Sequence, residues 1–135
     1  MKAVFHLPPA EDRVRYFLTR KLDDAGIPWW FEATTRATQG KLCRIDLLIL
    51  CRPPISRYVG IGEVLAIVET KSAEFKQDAR ERAKQLADEQ EQLERLSSLG
   101  YPLYVCRGMK DVNKTFNTVR RLFDWHTTVN SVMEA

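Results

Sequence analysis

Apolar residues recur along the chain with two different spacings, and these spacings separate predicted helices from predicted strands. Spacings of three and four residues predict helices over Ala10–Ala25, about Ala73–Leu99 and about 112–126. Short apolar, aromatic or β-branched runs predict strands over Trp29–Thr35, Arg44–Cys51, Glu63–Lys71 and Tyr101–Arg107. The predicted order of elements is αβββαβα, which is typical of an α/β protein.

The length and composition predict one folded domain over residues 1–135. The chain is 44% hydrophobic and 29% charged, which argues against disorder. No apolar run approaches the ~20 residues of a membrane span, and the first residues do not resemble a signal peptide, so we expect a cytoplasmic protein. Cys43, Cys51 and Cys106 lie in apolar stretches without metal-ligand spacing. We therefore expect buried free thiols, with neither disulfides nor a zinc site.

The net charge of +3 is unevenly distributed along the chain. Residues 1–62 carry ten basic and six acidic side chains, whereas residues 63–100 carry six and nine. A basic first half suits a polyanionic partner. Candidate phosphate contacts, with solvated surface charge as the alternative, are Arg36, Lys41, Arg44, Arg52 and Arg57.

Five polar residues interrupt the apolar faces of the predicted elements. Glu11 and Gln90 fall within the apolar stripes of the first and the long helix, and Asp46 lies inside an apolar strand. Glu69 and Lys71 share one face at the end of the third strand. Each has a structural alternative: a helix-dipole partner for Glu11, backbone hydrogen bonds for Gln90 and Asp46, and a solvated ion pair for Glu69 and Lys71.

Taken together, these residues predict a site for a hard divalent cation. Asp46 and Glu69, on adjacent strands, can share such an ion through oxygen ligands, and Mg²⁺ needs only one or two carboxylates. The ion would polarise a phosphate oxygen and acidify a bound water. Lys71 would orient that water or offset charge on the phosphate. Glu11 would reach the metal or its water shell, and Gln90 would hold a ligand or the water.

Two short motifs together resemble the signature of the PD-(D/E)XK nuclease superfamily. They are Asp46 within Arg44-Ile45-Asp46-Leu47 and, 23 residues later, Glu69 within Glu69-Thr70-Lys71. The resemblance implies a restriction-endonuclease-like αβββαβ core over about 10–107, with a mixed central sheet flanked by helices, plus the C-terminal helix. The long helix with Gln90 and the strand ending in Arg107 are similar to the VRR-NUC type, and N-terminal nuclease domains of restriction subunits also fit. Ile45 stands where the signature has Pro, and the Lys71-to-Gln90 spacing is long for VRR-NUC.

The resemblance implies a DNA endonuclease that depends on Mg²⁺ or Mn²⁺ and uses no nucleotide cofactor. Asp46, Glu69 and the Thr70 carbonyl would bind the metal, Lys71 would be the catalytic lysine, and Glu11 and Gln90 would be auxiliary. A small catalytic domain of this type would prefer branched, flapped or junction DNA. Stand-alone relatives are associated with Holliday-junction cleavage as dimers, so we expect a homodimer.

Two other hypotheses remain for the function. The first is a non-catalytic nuclease-fold subunit that binds DNA or a partner. The second is an interaction protein whose long charged helix binds a partner helix. The complete set of Asp46, Glu69 and Lys71 argues against the first, and the alanines and Gln90 in the stripe of that helix argue against the second.

Overall fold

The computed structural model describes residues 10–36, 42–53, 63–73 and 77–134, with the backbone alone at 10, 11, 32–36, 42, 43 and 134. Over these residues the chain forms three α-helices, α1 (Ala10–Asp24), α2 (Ala79–Ser97) and α3 (Val112–Glu134). It also forms four strands, β1 (Trp29–Arg36), β2 (Leu42–Leu50), β3 (Val64–Lys71) and β4 (Leu103–Arg107). The predicted order of elements and the α/β class are confirmed.

The strands form one open mixed sheet in the order β1-β2-β3-β4 over the described residues. β1, β2 and β3 pair antiparallel, and a register shift between Ile49 and Leu50 interrupts the β2–β3 pairing. β4 pairs parallel with β3, from Ile67↔Leu103 to Lys71↔Arg107. Parallel neighbours need a crossover connection, and α2 lies within the segment that makes it. The last residues of β3 and β4 therefore lie side by side at one end of the sheet.

The sheet has a hydrophobic cluster on each face. From Leu47 to Leu50, alternate residues of β2 point to opposite faces, so Leu47 and Ile49 join one cluster while Leu48 and Leu50 join the other. The first cluster includes Leu18 of α1 and Val119 of α3, and the second includes Leu96 of α2. Burial on both faces explains why the central strands have nearly continuous apolar sequences.

Two helix boundaries differ from the prediction by more than two residues. α2 begins at Ala79 and not near Ala73, because the Asp78 side chain caps the helix by accepting 3.0 Å hydrogen bonds from the backbone N–H groups of Arg80 and Glu81. α3 continues to Glu134, well beyond residue 126. Neither Gly nor Pro occurs in that extension, so no helix-breaking residue ends it earlier.

Two further expectations concern thiols and membranes. Cys106 is a buried free thiol as predicted, Cys51 is a half-buried free thiol, and Cys43 is described by its backbone alone. Burial raises the pKa of the Cys106 thiol. None of the helices in the described part of the chain combines the length and the hydropathy that a membrane span requires.

Candidate active site

Asp46 and Glu69 come together where β2 and β3 stop pairing. The last regular pair toward this end is Leu47↔Val68, and the same register would place Asp46 opposite Glu69. Here hydrogen bonds to side chains take the place of the backbone hydrogen bonds between the strands. The Asp46 backbone N–H donates to Glu69 Oε1 at 3.3 Å, and the Thr70 N–H donates to Asp46 Oδ2 at 3.2 Å. The Thr70 hydroxyl donates to the same Oδ2 at 3.4 Å. The two acidic side chains are therefore held against each other's strand at the end of the sheet.

Glu69 is buried in a way that is unfavourable for a charged carboxylate. Its side chain is 0% exposed, and no hydrogen-bond donor of the described residues reaches Oε2. Burial, followed by the negative charge of Asp46, raises the pKa of Glu69 to about 8. The hydrogen bond from the Asp46 backbone and the charge of Lys71 lower this pKa but do not compensate. A proton or a cation is required to make this position favourable.

Lys71 directs its amine at the buried carboxylate, as the strand period predicts. Lys71 Nζ lies 3.8 Å from Glu69 Oε2, with the lysine side chain 15% exposed. The same nitrogen donates a 3.0 Å hydrogen bond to Oε1 of Gln92 on α2. The ammonium group is therefore held between the third strand and the following helix, next to the acidic pair.

The prediction that Gln90 lies on the inner face of the long helix is wrong. Gln90 is exposed, and its Nε2 donates to Glu94 Oε1 of the same helix at 3.3 Å. That prediction centred the apolar stripe on Leu86, which is 47% exposed. Near the site, the side of α2 that faces the sheet is polar. The apolar residues in this part of the helix therefore do not indicate which side faces the sheet.

Gln92 is the glutamine that the structure brings to the site, and the sequence analysis missed it. Gln92 is half-buried and precedes the buried Leu96 by four residues and the half-buried Leu99 by seven. The first spacing places Gln92 and Leu96 on one side of α2, and Leu99 follows just after the helix ends. A stripe anchored on Leu96 and Leu99 would have identified Gln92 from the sequence.

A cleft of about 470 Å³ opens beside Lys71 and follows α2. The residues that line it are Lys71, Glu81, Lys84, Gln85, Asp88, Glu89 and Gln92. Asp46 and Glu69 are not among them, so the Lys71 side chain links the cleft to the carboxylate pair.

The donor atoms at the end of β2 and β3 fit a hard divalent cation. Among the described residues, no group of three His, Cys, Asp or Glu side chains converges, so the site offers two carboxylates. Mg²⁺ binds through one or two carboxylates and keeps several waters. An ion bound here would neutralise the two adjacent charges and give Glu69 Oε2 the partner that it lacks. Thr70, whose carbonyl is the predicted third ligand, is itself buried between Glu69 and Lys71.

The other predicted site residues are only partly described. Glu11 and Arg36 are described by their backbone alone, and Lys41 and Arg57 lie outside the described residues. Arg44 is exposed and precedes Asp46 by two residues in β2.

The structure does not bring Arg52 to the acidic pair. Arg52 follows the far end of β2, six residues from Asp46 and so roughly 20 Å along an extended chain. Its Nε lies 3.5 Å from Glu63 Oε1, an ion pair that balances its charge locally.

Neither a scan against protein-family models nor searches among curated proteins and solved structures return a match for this chain. What the protein does is therefore inferred from the chemistry of this cluster. It combines the neighbouring acidic residues Asp46 and Glu69, an ammonium group 3.8 Å from the Glu69 carboxylate, and a side-chain amide that accepts a hydrogen bond from that ammonium group.

Proposed function

We propose that this protein is a metal-dependent DNA endonuclease of the PD-(D/E)XK type that hydrolyses phosphodiester bonds. The observation that supports this most directly is the buried Oε2 of Glu69, which faces the Lys71 ammonium at 3.8 Å and has no hydrogen-bond donor among the described residues. The Asp46–Glu69 pairing and the αβββαβ order of elements are also what the resemblance implies.

In this proposal Asp46, Glu69 and the Thr70 carbonyl hold Mg²⁺ or Mn²⁺. The bound ion supplies Lewis acidity, which polarises a phosphate oxygen and lowers the pKa of water. Glu69 ionises and releases its proton when the ion binds, because its pKa of about 8 reflects a site without a cation. Lys71 offsets the negative charge that develops on the phosphate, and Gln92 keeps the ammonium in place through their 3.0 Å hydrogen bond.

The proposed substrates are branched, flapped or junction DNA, and the proposed active form is a homodimer. These follow from the resemblance to VRR-NUC-type nucleases. Arg44, which is exposed two residues before Asp46, would contact the phosphate backbone without reading sequence.

Cleavage of linear, nicked, flapped and four-way DNA in Mg²⁺ or Mn²⁺ tests the proposal. We expect the wild-type protein to cleave at least one branched substrate, and Asp46→Asn to lose at least about 10³-fold in rate. Asp124→Asn, an exposed position on α3 paired with Arg120, is the matched control and should cleave normally.

Two results would count against the proposal. Full cleavage in excess EDTA or by Asp46→Asn would refute the assigned site. Wild-type protein that binds DNA but cleaves none of the substrates would favour the non-catalytic subunit instead.

A further inference from the structure

The part of α2 that lies beside the candidate site is not anchored by apolar packing. All residues of α2 are described, and the one fully buried residue is Leu96, close to its C-terminal end. From Ala79 to Gln92 every side chain is half-buried or exposed. Polar links join this part of the helix to the ends of two strands, among them Lys71 to Gln92 and Arg107 to Glu89. These links therefore contribute to the position of this part of the helix.

Arg107 is held at the end of β4 by contacts to three different segments. Its guanidinium donates through Nη1 to the Ser72 carbonyl at 3.1 Å and through Nη2 to Glu89 Oε2 at 2.5 Å. Its backbone N–H donates to Asp111 Oδ2 at 3.0 Å. The planar fork of arginine allows the two side-chain bonds to form together. One side chain thus connects the residue that follows Lys71 to the helix that contains Gln92.

The two links are neighbours on both elements that they join. Lys71 and Arg107 are register partners in β3 and β4, and Glu89 and Gln92 are three residues apart on one side of α2. The side chains of Arg107 and Glu89 are 24% and 14% exposed, so solvent screens their attraction only partly. Two adjacent links fix the rotation of a helix about its axis, which one link alone does not.

We propose that the Arg107–Glu89 ion pair is a positioning device that sets α2 so that Gln92 holds the Lys71 ammonium against Glu69. This inference rests on the proposed function only in treating Lys71 as the catalytic lysine. Arg107 and Glu89 act through Gln92 and Lys71 and are positioning residues.

Glu89→Gln tests the geometry without any measurement of cleavage. Glu91→Gln is the matched control, because it is the same substitution on the same helix and removes an ion pair, with Arg95, that stays within that helix. The readouts are the NMR signals of the Lys71 ammonium, assigned with Lys71→Arg, and of the Gln92 side-chain amide. We expect both signals to shift in Glu89→Gln and to stay at the wild-type positions in Glu91→Gln. Wild-type positions in folded Glu89→Gln would overturn the proposal.

A double-mutant comparison tests whether Glu89 acts through Gln92. On a cleaved DNA substrate, we expect Glu89→Gln and Gln92→Ala each to lower kcat about tenfold with KM within about twofold. The double variant should be no slower than the slower single variant, because the second substitution removes a contact that is already lost. Multiplied losses would overturn the proposal.

Failure of this inference is separable from failure of the proposed function. If wild-type protein cleaves no DNA while the Lys71 and Gln92 signals respond to Glu89→Gln, the positioning geometry stands and the nuclease proposal fails. Arg107→Lys provides a second variant that keeps the charge but not the fork, and we expect a smaller shift of both signals than in Glu89→Gln. Signals that do not move in either variant would reject the positioning role.

Discussion

The two faces of the sheet are built differently. On the face covered by α1 and α3, buried apolar side chains such as Leu18, Leu47 and Val119 meet in one cluster. On the face covered by α2, apolar packing centres on Leu96, and toward the end of the sheet it gives way to Glu69, Lys71 and Gln92. The first face stabilises the fold, and the second face combines a smaller core with a polar site whose groups are arranged by hydrogen bonds and ion pairs.

The largest expected difference in stability between the two faces comes from replacing one leucine on each face by alanine. Leu18→Ala should lower the free energy of unfolding by about 4 kcal/mol, because Leu18 is fully buried and its loss leaves a cavity. Leu86→Ala should change it by less than about 0.5 kcal/mol, because Leu86 is 47% exposed. Urea denaturation of both variants measures the difference. Similar losses in both would show that α2 packs on the sheet through Leu86, contrary to the structure.

The next effect concerns the buried carboxylate on the polar face. The folded-state pKa of Glu69, about 8, lies above its ordinary value of 4.5, so the folded protein binds the extra proton more tightly than the unfolded chain does. This contribution to stability is complete below about pH 4.5 and is lost as the pH rises through about 8. Without divalent ions, the free energy of unfolding should therefore decline steadily as the pH rises over this window.

Glu69→Gln isolates this effect, because the amide has the shape of the acid but does not ionise. We expect the decline in unfolding free energy from pH 5 to pH 8 to become shallower in this variant, measured by urea denaturation in EDTA. Glu91→Gln, at an exposed position of α2, should keep the wild-type slope. Identical slopes in wild type and Glu69→Gln would contradict the raised pKa.

The smallest effect is stabilisation by the metal itself. A ligand that binds the folded state alone stabilises it by RT ln(1 + [L]/Kd), about 1.4 kcal/mol at tenfold excess over Kd. Mg²⁺ should therefore raise the Tm at pH 8, and Asp46→Asn should remove that rise while Asp124→Asn keeps it. An equal rise in Tm in all three proteins would indicate nonspecific ion binding. It would contradict a metal site on the polar face.

The features that the sequence predicted correctly are those that depend on near neighbours. The order of the helices and strands follows from local apolar spacing, and the shared direction of Glu69 and Lys71 follows from the two-residue period of a strand. The contact of Asp46 with Glu69, 23 residues apart, is the exception, because it was predicted by assuming that the two strands are neighbours in the sheet. The helix and strand spacings are local because the backbone geometry of each element alone sets its period.

Only the folded molecule shows which side of α2 faces the sheet. That orientation makes Gln92, Glu89 and Arg107 members of the site. Lys71 and Gln92 are 21 residues apart, and Glu89 and Arg107 are 18 apart, so no local period relates them. The inner face of α2 near the site is polar because it faces an ammonium and a guanidinium group, and the usual apolar marker of the buried side is missing there. The raised pKa of Glu69 has the same origin, since desolvation and the nearby charge of Asp46 exist only once the strands and helices have packed.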